Sequence, residues 1–141
     1  MRRNLSIDEV RGLVERPLVA TLATYRADHS VLLSPVWHEW HEGGFSVPVI
    51  EGDVKLRHLL RDPRAGLVVY ESEPPYAGVE IRTTARLVQR GYMELERRLA
   101  ARYLGPAAGE RYAASLPQEG FVVRLEPGEL RAWDFADESW G

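Results

Sequence analysis

Residues 79–89 restrict the possible fold more than any other segment, because their side chains alternate in character along its length. One set is mostly apolar or small and consists of Val79, Ile81, Thr83, Ala85 and Leu87. The opposite set is mostly polar and consists of Glu80, Arg82, Thr84, Arg86 and Val88. A period of two predicts one long β-strand with a core face and a polar face. Such a strand needs partners, so the chain is expected to fold around a β-sheet.

Several shorter segments have the composition of partner strands, being rich in β-branched, aromatic and small apolar residues. They are residues 18–25, 31–40, 45–50, 65–70, 120–125 and 129–135. Polar or glycine-rich turns separate the first three, which predicts that segments 18–25 and 31–40 pair as a hairpin. Few of these strands are followed by a crossover helix, so a doubly wound parallel sheet is not expected.

Four segments show helical periodicity instead. Residues 6–16 begin with the capping-box spacing of Ser6 and Glu9, residues 53–61 follow a Gly-Asp turn, and residues 92–104 and 107–116 flank the Gly105-Pro106 break. The pattern predicts a mainly β (α+β) fold: one domain over residues 1–141, with an antiparallel sheet closing into a barrel and a few flanking helices.

The composition narrows the function. The chain has 141 residues, a formal net charge of -3 and no cysteine. The absence of a basic excess argues against general nucleic-acid binding, and the absence of cysteine excludes disulfides and thiolate metal sites. The N-terminal residues lack the apolar core of a signal peptide and no apolar run is long enough to span a membrane, so we expect a cytoplasmic protein without membrane or nucleic-acid partners.

The helix at residues 53–61 holds the clearest candidate binding residues. Lys55 is the only lysine in the sequence and lies in the first helical turn, where a cation opposes the helix dipole. A phosphate or carboxylate bound by backbone N–H groups, Lys55 and Arg57 would reverse that effect. The alternative is a solvated basic face, and periodicity alone does not separate the two.

Segment 33–37 is a second candidate. Pro35 cannot donate to a strand ladder, so it indicates either an edge strand or bulge, or a place where the strand faces a planar ring. The tryptophans Trp37, Trp40, Trp133 and Trp140 are more typical of a core or a subunit interface than of cofactor stacking.

The histidines predict no metal centre or catalytic triad. His38 and His41 are three residues apart, so on one strand they point to opposite faces and cannot share an ion. A partly exposed strand histidine is the expected state of His38.

The order of these features resembles the pyridoxamine 5′-phosphate oxidase-like split β-barrel superfamily, and within it the flavin- and deazaflavin (F420)-dependent oxidoreductases. The matching segments are residues 20–28 (A-T-L-A-T-Y-R-A-D), 34–37 (S-P-V-W), 54–64 (V-K-L-R-H-L-L-R-D-P-R), 79–88 (V-E-I-R-T-T-A-R-L-V) and 122–135 (V-V-R-L-E-P-G-E-L-R-A-W-D-F). Together they cover most of the chain in the expected order.

The resemblance implies a six-stranded antiparallel split barrel that forms a homodimer, with two cofactors held at the interface. It implies coenzyme F420 as cofactor, with FMN as the alternative, and a small-molecule substrate. The ring is expected beside Leu33, Ser34, Pro35 and Val36. The phosphate is expected beside Lys55 and Arg57, where Glu51 and Asp53 also place two carboxylates.

The same resemblance implies that Tyr76, Arg82 and Trp133 belong to the partner subunit's side of the pocket. Because the cofactor carries the chemistry, no catalytic side chain is expected. The alternative function is a non-catalytic carrier of a flavin, haem or tetrapyrrole on the same fold.

Overall fold

The computed structural model describes residues 2–137, except for the side chain of Arg11. The strands are β1 (Arg2–Arg3), β2 (Ala20–Tyr25), β3 (Val31–Val36), β4 (Glu39–His41), β5 (Gly44–Ile50), β6 (Arg64–Tyr70), β7 (Ala77–Thr84), β8 (Arg86–Val88), β9 (Gly120–Leu125) and β10 (Glu129–Asp134). The helices are α1 (Arg11–Val14), which continues a 3-10 turn at Ile7–Val10, α2 (Val54–Arg61), α3 (Tyr92–Leu104) and α4 (Pro106–Ala114).

The strands form two antiparallel sheets. The larger has the order β1-β10-β7-β6-β2-β3 and the smaller the order β4-β5-β9-β8. Within the described residues no ladder joins the two sheets into one closed cylinder, so the barrel is split. The predicted mainly β split-barrel class is confirmed, as is the hairpin of β2 and β3, in which Ala20 pairs with Val36.

The main core lies between the two sheets, and α2 closes one end of it. Alternate residues of β2, β6 and β7 point inward, as in Leu22, Leu67 and Ile81, all of which are buried. From the other sheet Val47 and Val123 face them, while Leu59 of α2 completes the packing. Burying side chains of this size contributes roughly 1.5–3 kcal/mol each relative to exposure.

A second apolar cluster lies on the outer face of the smaller sheet. Leu95 and Leu99 of α3 pack there against Val122 of β9, with Trp37 and Tyr103 at the margin. Strand β5 is therefore covered on both faces, which explains why Gly44, Phe45, Ser46 and Val47 are all buried in succession.

Two predicted strands are each divided in the structure, and the prediction of continuous strands at 31–40 and 79–89 is wrong in this respect. Strand β3 ends at Val36, and β4 begins at Glu39 in the other sheet. Strand β7 ends at Thr84, and β8 joins the smaller sheet after Ala85. Both breaks carry the chain from one sheet to the other, a change of partner that alternation within the segment does not encode.

The remaining predicted elements agree with the structure to within a few residues. The short strand β1, which pairs with β10, was not expected. No helix in residues 2–137 is both long enough and apolar enough to cross a membrane.

Candidate functional site

An open groove of about 330 Å³ lies where the two sheets separate, beneath α3 and α4. We call it the Lys55 groove. Its walls come from the ends of β3 and β5, the start of α2, and one side chain each from α3 and α4. The lining residues are Val19, Pro35, Val36, Trp37, Pro48, Val49, Ile50, Asp53, Lys55, Glu96 and Tyr112. The volume is at the lower end of the range typical of small-molecule sites.

The turn between β5 and α2 places Lys55 in this groove. Gly52 has a φ of 91°, which a glycine adopts without strain, and the Asp53 N–H donates to the Ile50 carbonyl over 3.0 Å. Asp53 then caps the helix, because its Oδ1 accepts the Lys55 backbone N–H at 2.9 Å.

Asp53 also compensates the charge of Lys55. The Lys55 Nζ lies 3.0 Å from Asp53 Oδ2, and the lysine side chain is only 18% exposed. The Asp53 carboxylate therefore occupies two groups that the sequence analysis assigned to a bound anion. They are a backbone N–H of the helix start and the Lys55 ammonium group. A phosphate bound here would share Lys55 with Asp53.

Glu51 lies away from this arrangement. It lines a different pocket, together with Glu119, and a hydrogen bond that neutral Glu51 donates to the Glu119 carboxylate raises the pKa of Glu51. Of the two carboxylates beside the expected phosphate, only Asp53 reaches the Lys55 groove.

Arg57 does not line the Lys55 groove either. Two residues along a helix correspond to about 200° of rotation, so Arg57 and Lys55 leave α2 on opposite sides. Arg57 is exposed, and with Arg26 and Arg61 it surrounds the buried His58. Burial lowers the pKa of His58, and the three arginines lower it further, while its Nδ1 lies 3.0 Å from Thr24 Oγ1.

A buried carboxyl group forms part of the groove's opposite wall. Glu96 of α3 is 5% exposed, and its Oε2 accepts a hydrogen bond from the Tyr92 hydroxyl at 2.9 Å. Burial raises the pKa of Glu96, which the hydrogen bond from Tyr92 partly opposes. Burial also raises the pKa of Tyr92.

Aromatic rings make the rest of this wall rigid. Trp37 stacks on Tyr103 with ring centroids 4.8 Å apart and an interplanar angle of 8°, and Tyr112 packs against Trp37 at 5.3 Å. The Tyr103 hydroxyl donates to the Leu18 carbonyl at 2.7 Å and accepts the His38 backbone N–H at 3.2 Å. Trp37 is thereby fixed beside Pro35 and Val36.

Strand β3 is the edge strand of the larger sheet, so the edge-strand interpretation of Pro35 holds. Pro35 and Val36 line the groove, but Leu33 and Ser34 do not. Leu33 is 61% exposed, and Val31 of the same strand and Val19, which precedes β2 and lines the groove, are also exposed. An apolar strip therefore continues from the groove along the outer edge of β3.

The three residues expected from a partner subunit lie elsewhere in the chain. Tyr76 is exposed before β7, and Arg82 pairs with Glu129 at 3.2 Å. Trp133 covers Gly78, where any added Cβ would overlap the indole ring. None of the three lines the Lys55 groove of its own chain.

The tryptophans are distributed between core and surface. Trp40 packs on Phe45 with centroids 4.9 Å apart, and the Arg131 guanidinium lies 4.7 Å from the Trp133 ring. Trp37 belongs to the groove wall, and Trp140 lies outside the described residues.

The expectation that His38 is partly exposed is wrong. His38 is 0% exposed, and neither ring nitrogen has a hydrogen-bond partner within the described residues. It occupies the break between β3 and β4, where the chain passes into the core between sheets. Within residues 2–137, no three histidine or acidic side chains are grouped so that they could hold a metal ion.

The sequence analysis missed the groove residues that α3 and α4 contribute, Glu96 and Tyr112. A signal for Glu96 was present, because it falls on the same helical face as Tyr92, Leu95 and Leu99. A carboxylate on an otherwise apolar helical face is either paired or functional. Tyr112 gave no comparable signal, since its place depends on how α4 folds back over α3.

Comparison with known proteins identifies relatives of the chain. A family model described as pyridoxamine 5′-phosphate oxidase matches residues 6–134. No curated protein matches the sequence significantly.

Several solved structures share the fold. A conserved hypothetical protein of Mycobacterium tuberculosis is 23% identical with a TM-score of 0.77, over 93% of this chain and 86% of that one. A protein described as an F420 reductase is 22% identical with a TM-score of 0.70, over 85% of this chain and 94% of the other. The haem storage protein of Vibrio cholerae is 19% identical with a TM-score of 0.64, over 87% of this chain and 91% of that one. At these identities the likeness concerns the fold.

Proposed function

The chain belongs to the pyridoxamine 5′-phosphate oxidase family, and on that basis we propose that it is an oxidoreductase that binds coenzyme F420 or FMN in the Lys55 groove. The observation that carries the proposal is the groove itself. It joins a rigid apolar wall at Pro35, Val36 and Trp37 to the ammonium group of Lys55. A cofactor with a planar ring and an anionic tail needs an apolar wall for the ring and a cation for the tail.

The residues present fit the ring more completely than the tail. Proline, valine and tryptophan side chains offer an apolar surface that excludes water from one side of a ring. Lys55 supplies one cation, which Asp53 compensates, so the tail is held by a shared ion pair. When bound, such a cofactor supplies hydride-transfer chemistry, and the chain supplies position and electrostatics.

F420 is our first choice of cofactor and FMN the second. The F420 reductase shares the fold over most of both chains, and a protein of Mycobacterium smegmatis described as FAD-binding shares it at 16% identity with a TM-score of 0.65. These neighbours support a flavin-type ligand as a class.

We also propose that two chains form a homodimer around the groove. The exposed Val31 and Leu33 lie on β3, whose outer edge has no partner strand within the described residues, and monomeric proteins usually protect such an edge. The exposed Val19 lines the groove itself. In such a dimer, Tyr76, Arg82 and Trp133 are the residues we assign to the partner's side of the site. Sedimentation tests this assembly, and a monomer at micromolar concentration would contradict it.

A haem carrier is the competing function, suggested by the haem storage protein of the same fold. No histidine within residues 2–137 lines the Lys55 groove, so the groove offers no imidazole for haem iron. This observation favours the flavin-type ligand.

The visible spectrum of the purified protein, followed by titration with F420, FMN and haem, tests the proposal. We expect F420 or FMN to bind at micromolar concentration with one equivalent per chain. If both fail to bind, the oxidoreductase proposal fails, and binding of haem alone would support the carrier.

A further inference from the structure

One carboxyl oxygen of Glu96, which lines the Lys55 groove, has no hydrogen-bond partner within the described residues. Its Oε2 accepts the Tyr92 hydroxyl, and no hydrogen bond to Oε1 is formed within the described residues. Oε1 is nevertheless not fully enclosed, because the fully buried unpaired side-chain atoms of the described chain are the two ring nitrogens of His38. Since Glu96 lines the groove and Tyr92 occupies Oε2, Oε1 is the carboxyl oxygen left for a ligand there.

The surroundings of Glu96 favour its neutral form. Tyr92 lies on the same helix, Tyr112 approaches from α4, and Asp53 and Lys55 lie across the groove, already paired with each other. No ion pair to Glu96 occurs in residues 2–137, and burial raises the pKa of its carboxyl.

The hydrogen bond between the Tyr92 hydroxyl and Glu96 favours one carboxyl oxygen as the site of the proton. Because the tyrosine O–H donates to Oε2, that oxygen acts as an acceptor, and the proton of a neutral carboxyl is carried by Oε1. A neutral Glu96 therefore presents an O–H donor to the groove, whereas an ionised Glu96 presents only acceptors.

We propose that Glu96 binds the ligand in its protonated form, as a hydrogen-bond donor from Oε1 to a carbonyl oxygen or ring nitrogen of a planar cofactor. This inference rests on the proposed function, because it assumes that a flavin-type ring occupies the Lys55 groove. Cofactor affinity then falls as the pH rises and Glu96 ionises, since a carboxylate repels the same acceptor atom.

The test measures the dissociation constants of F420 and FMN by fluorescence from about pH 4 to 9, a range that includes ordinary and raised glutamate pKa values. As the pH rises and Glu96 ionises, the cofactor affinity of wild type is expected to fall about tenfold, which is equivalent to one hydrogen bond of roughly 1.4 kcal/mol. We call this fall the binding transition. Glu96→Gln keeps an N–H donor, so it should bind tightly without that transition. Glu96→Leu should bind about tenfold more weakly at low pH.

Glu94→Gln is the matched control. Glu94 lies two residues earlier on the same helix, is exposed and lines a different pocket. Glu94→Gln should therefore show the same dependence of cofactor affinity on pH as wild type. Tyr92→Phe removes the hydrogen bond that favours the carboxylate, so it should move the transition to higher pH.

A readout without cofactor separates the two proposals. Infrared spectra of the ligand-free protein should contain a protonated carboxyl C=O band that titrates with the same transition and is missing from Glu96→Gln. Its absence from the wild-type spectrum at pH values below the binding transition would overturn the donor role.

The outcomes distinguish the inference from the proposed function. Cofactor binding that is independent of pH, or equal in Glu96→Leu and wild type, overturns the donor role and leaves the proposed function standing. Failure of wild type to bind either cofactor overturns the proposed function and the donor role with it. If Glu96→Leu does not fold, Glu96→Gln and the infrared band decide.

Discussion

Replacing His38 by leucine tests how the protein responds to a buried histidine without hydrogen-bond partners. Burial lowers the pKa of His38 from 6.5 to about 4, and the nearby Arg102 guanidinium acts in the same direction. The Leu18 carbonyl acts in the opposite direction, but it makes no hydrogen bond to the ring and instead accepts the Tyr103 hydroxyl. The folded protein therefore holds His38 in its neutral form.

The sign of the pH effect follows from this difference in pKa. As the pH falls below 6.5, the unfolded chain binds a proton at His38 while the folded chain does not. The unfolding free energy is thus unaffected by His38 above about pH 7 and decreases between about pH 6.5 and 4. Integration between pH 7 and 5 gives a loss of about 2 kcal/mol.

His38→Leu lacks this titration, so its unfolding free energy relative to wild type should rise by about 2 kcal/mol from pH 7 to 5. Urea unfolding followed by tryptophan fluorescence measures the unfolding free energy of both proteins at each pH. Subtracting the wild-type value removes the contribution of the titrating groups that the two proteins share. His41→Leu is the control, because that side chain is 61% exposed. A difference that stays constant with pH would refute the account of His38.

Two further substitutions have matched controls. Gly78→Ala should reduce the unfolding free energy by about 1–3 kcal/mol, because its Cβ would overlap the indole that covers this position. Gly12→Ala, with no atom within 4 Å of the added Cβ, should change the unfolding free energy by less than about 1 kcal/mol in the same urea assay; equal losses would contradict the packing argument. Asp53→Asn keeps the helix cap but frees Lys55, so FMN and F420 should bind several-fold to about tenfold more tightly in fluorescence titrations. Glu51→Gln should leave these affinities unchanged, and an equal gain would mean that both carboxylates face the ligand.

Local patterns in the sequence were sufficient for most elements of the fold. The turn at Gly52 and Asp53, the helix that follows and the hairpin of β2 and β3 were all predicted, because each depends on residues close in sequence. The breaks at His38 and Ala85 were not predicted. Each depends on the chain leaving one sheet for the other, and the alternation of side chains continues unchanged through the crossing.

The candidate site was predicted less completely, for a related reason. Pro35, Val36 and Lys55 were identified from local features and the family resemblance, and all three line the groove. Arg57 was grouped with Lys55 as a second cation of the basic helix and through the family resemblance, although helix geometry directs the two side chains to opposite sides. Glu96 reaches the groove only through the packing of α3 on the smaller sheet, which periodicity does not locate.

The affinity of Lys55→Met for F420 and FMN tests the central claim most directly, since the proposed site depends on this one ammonium group. Arg97→Met is the control, because Arg97 is an exposed arginine of α3 that does not line the Lys55 groove. Loss of a charge-assisted contact predicts that Lys55→Met binds about tenfold or more weakly than wild type, while Arg97→Met binds like wild type. Equal affinities for the two variants would contradict the assignment of the groove as the cofactor site.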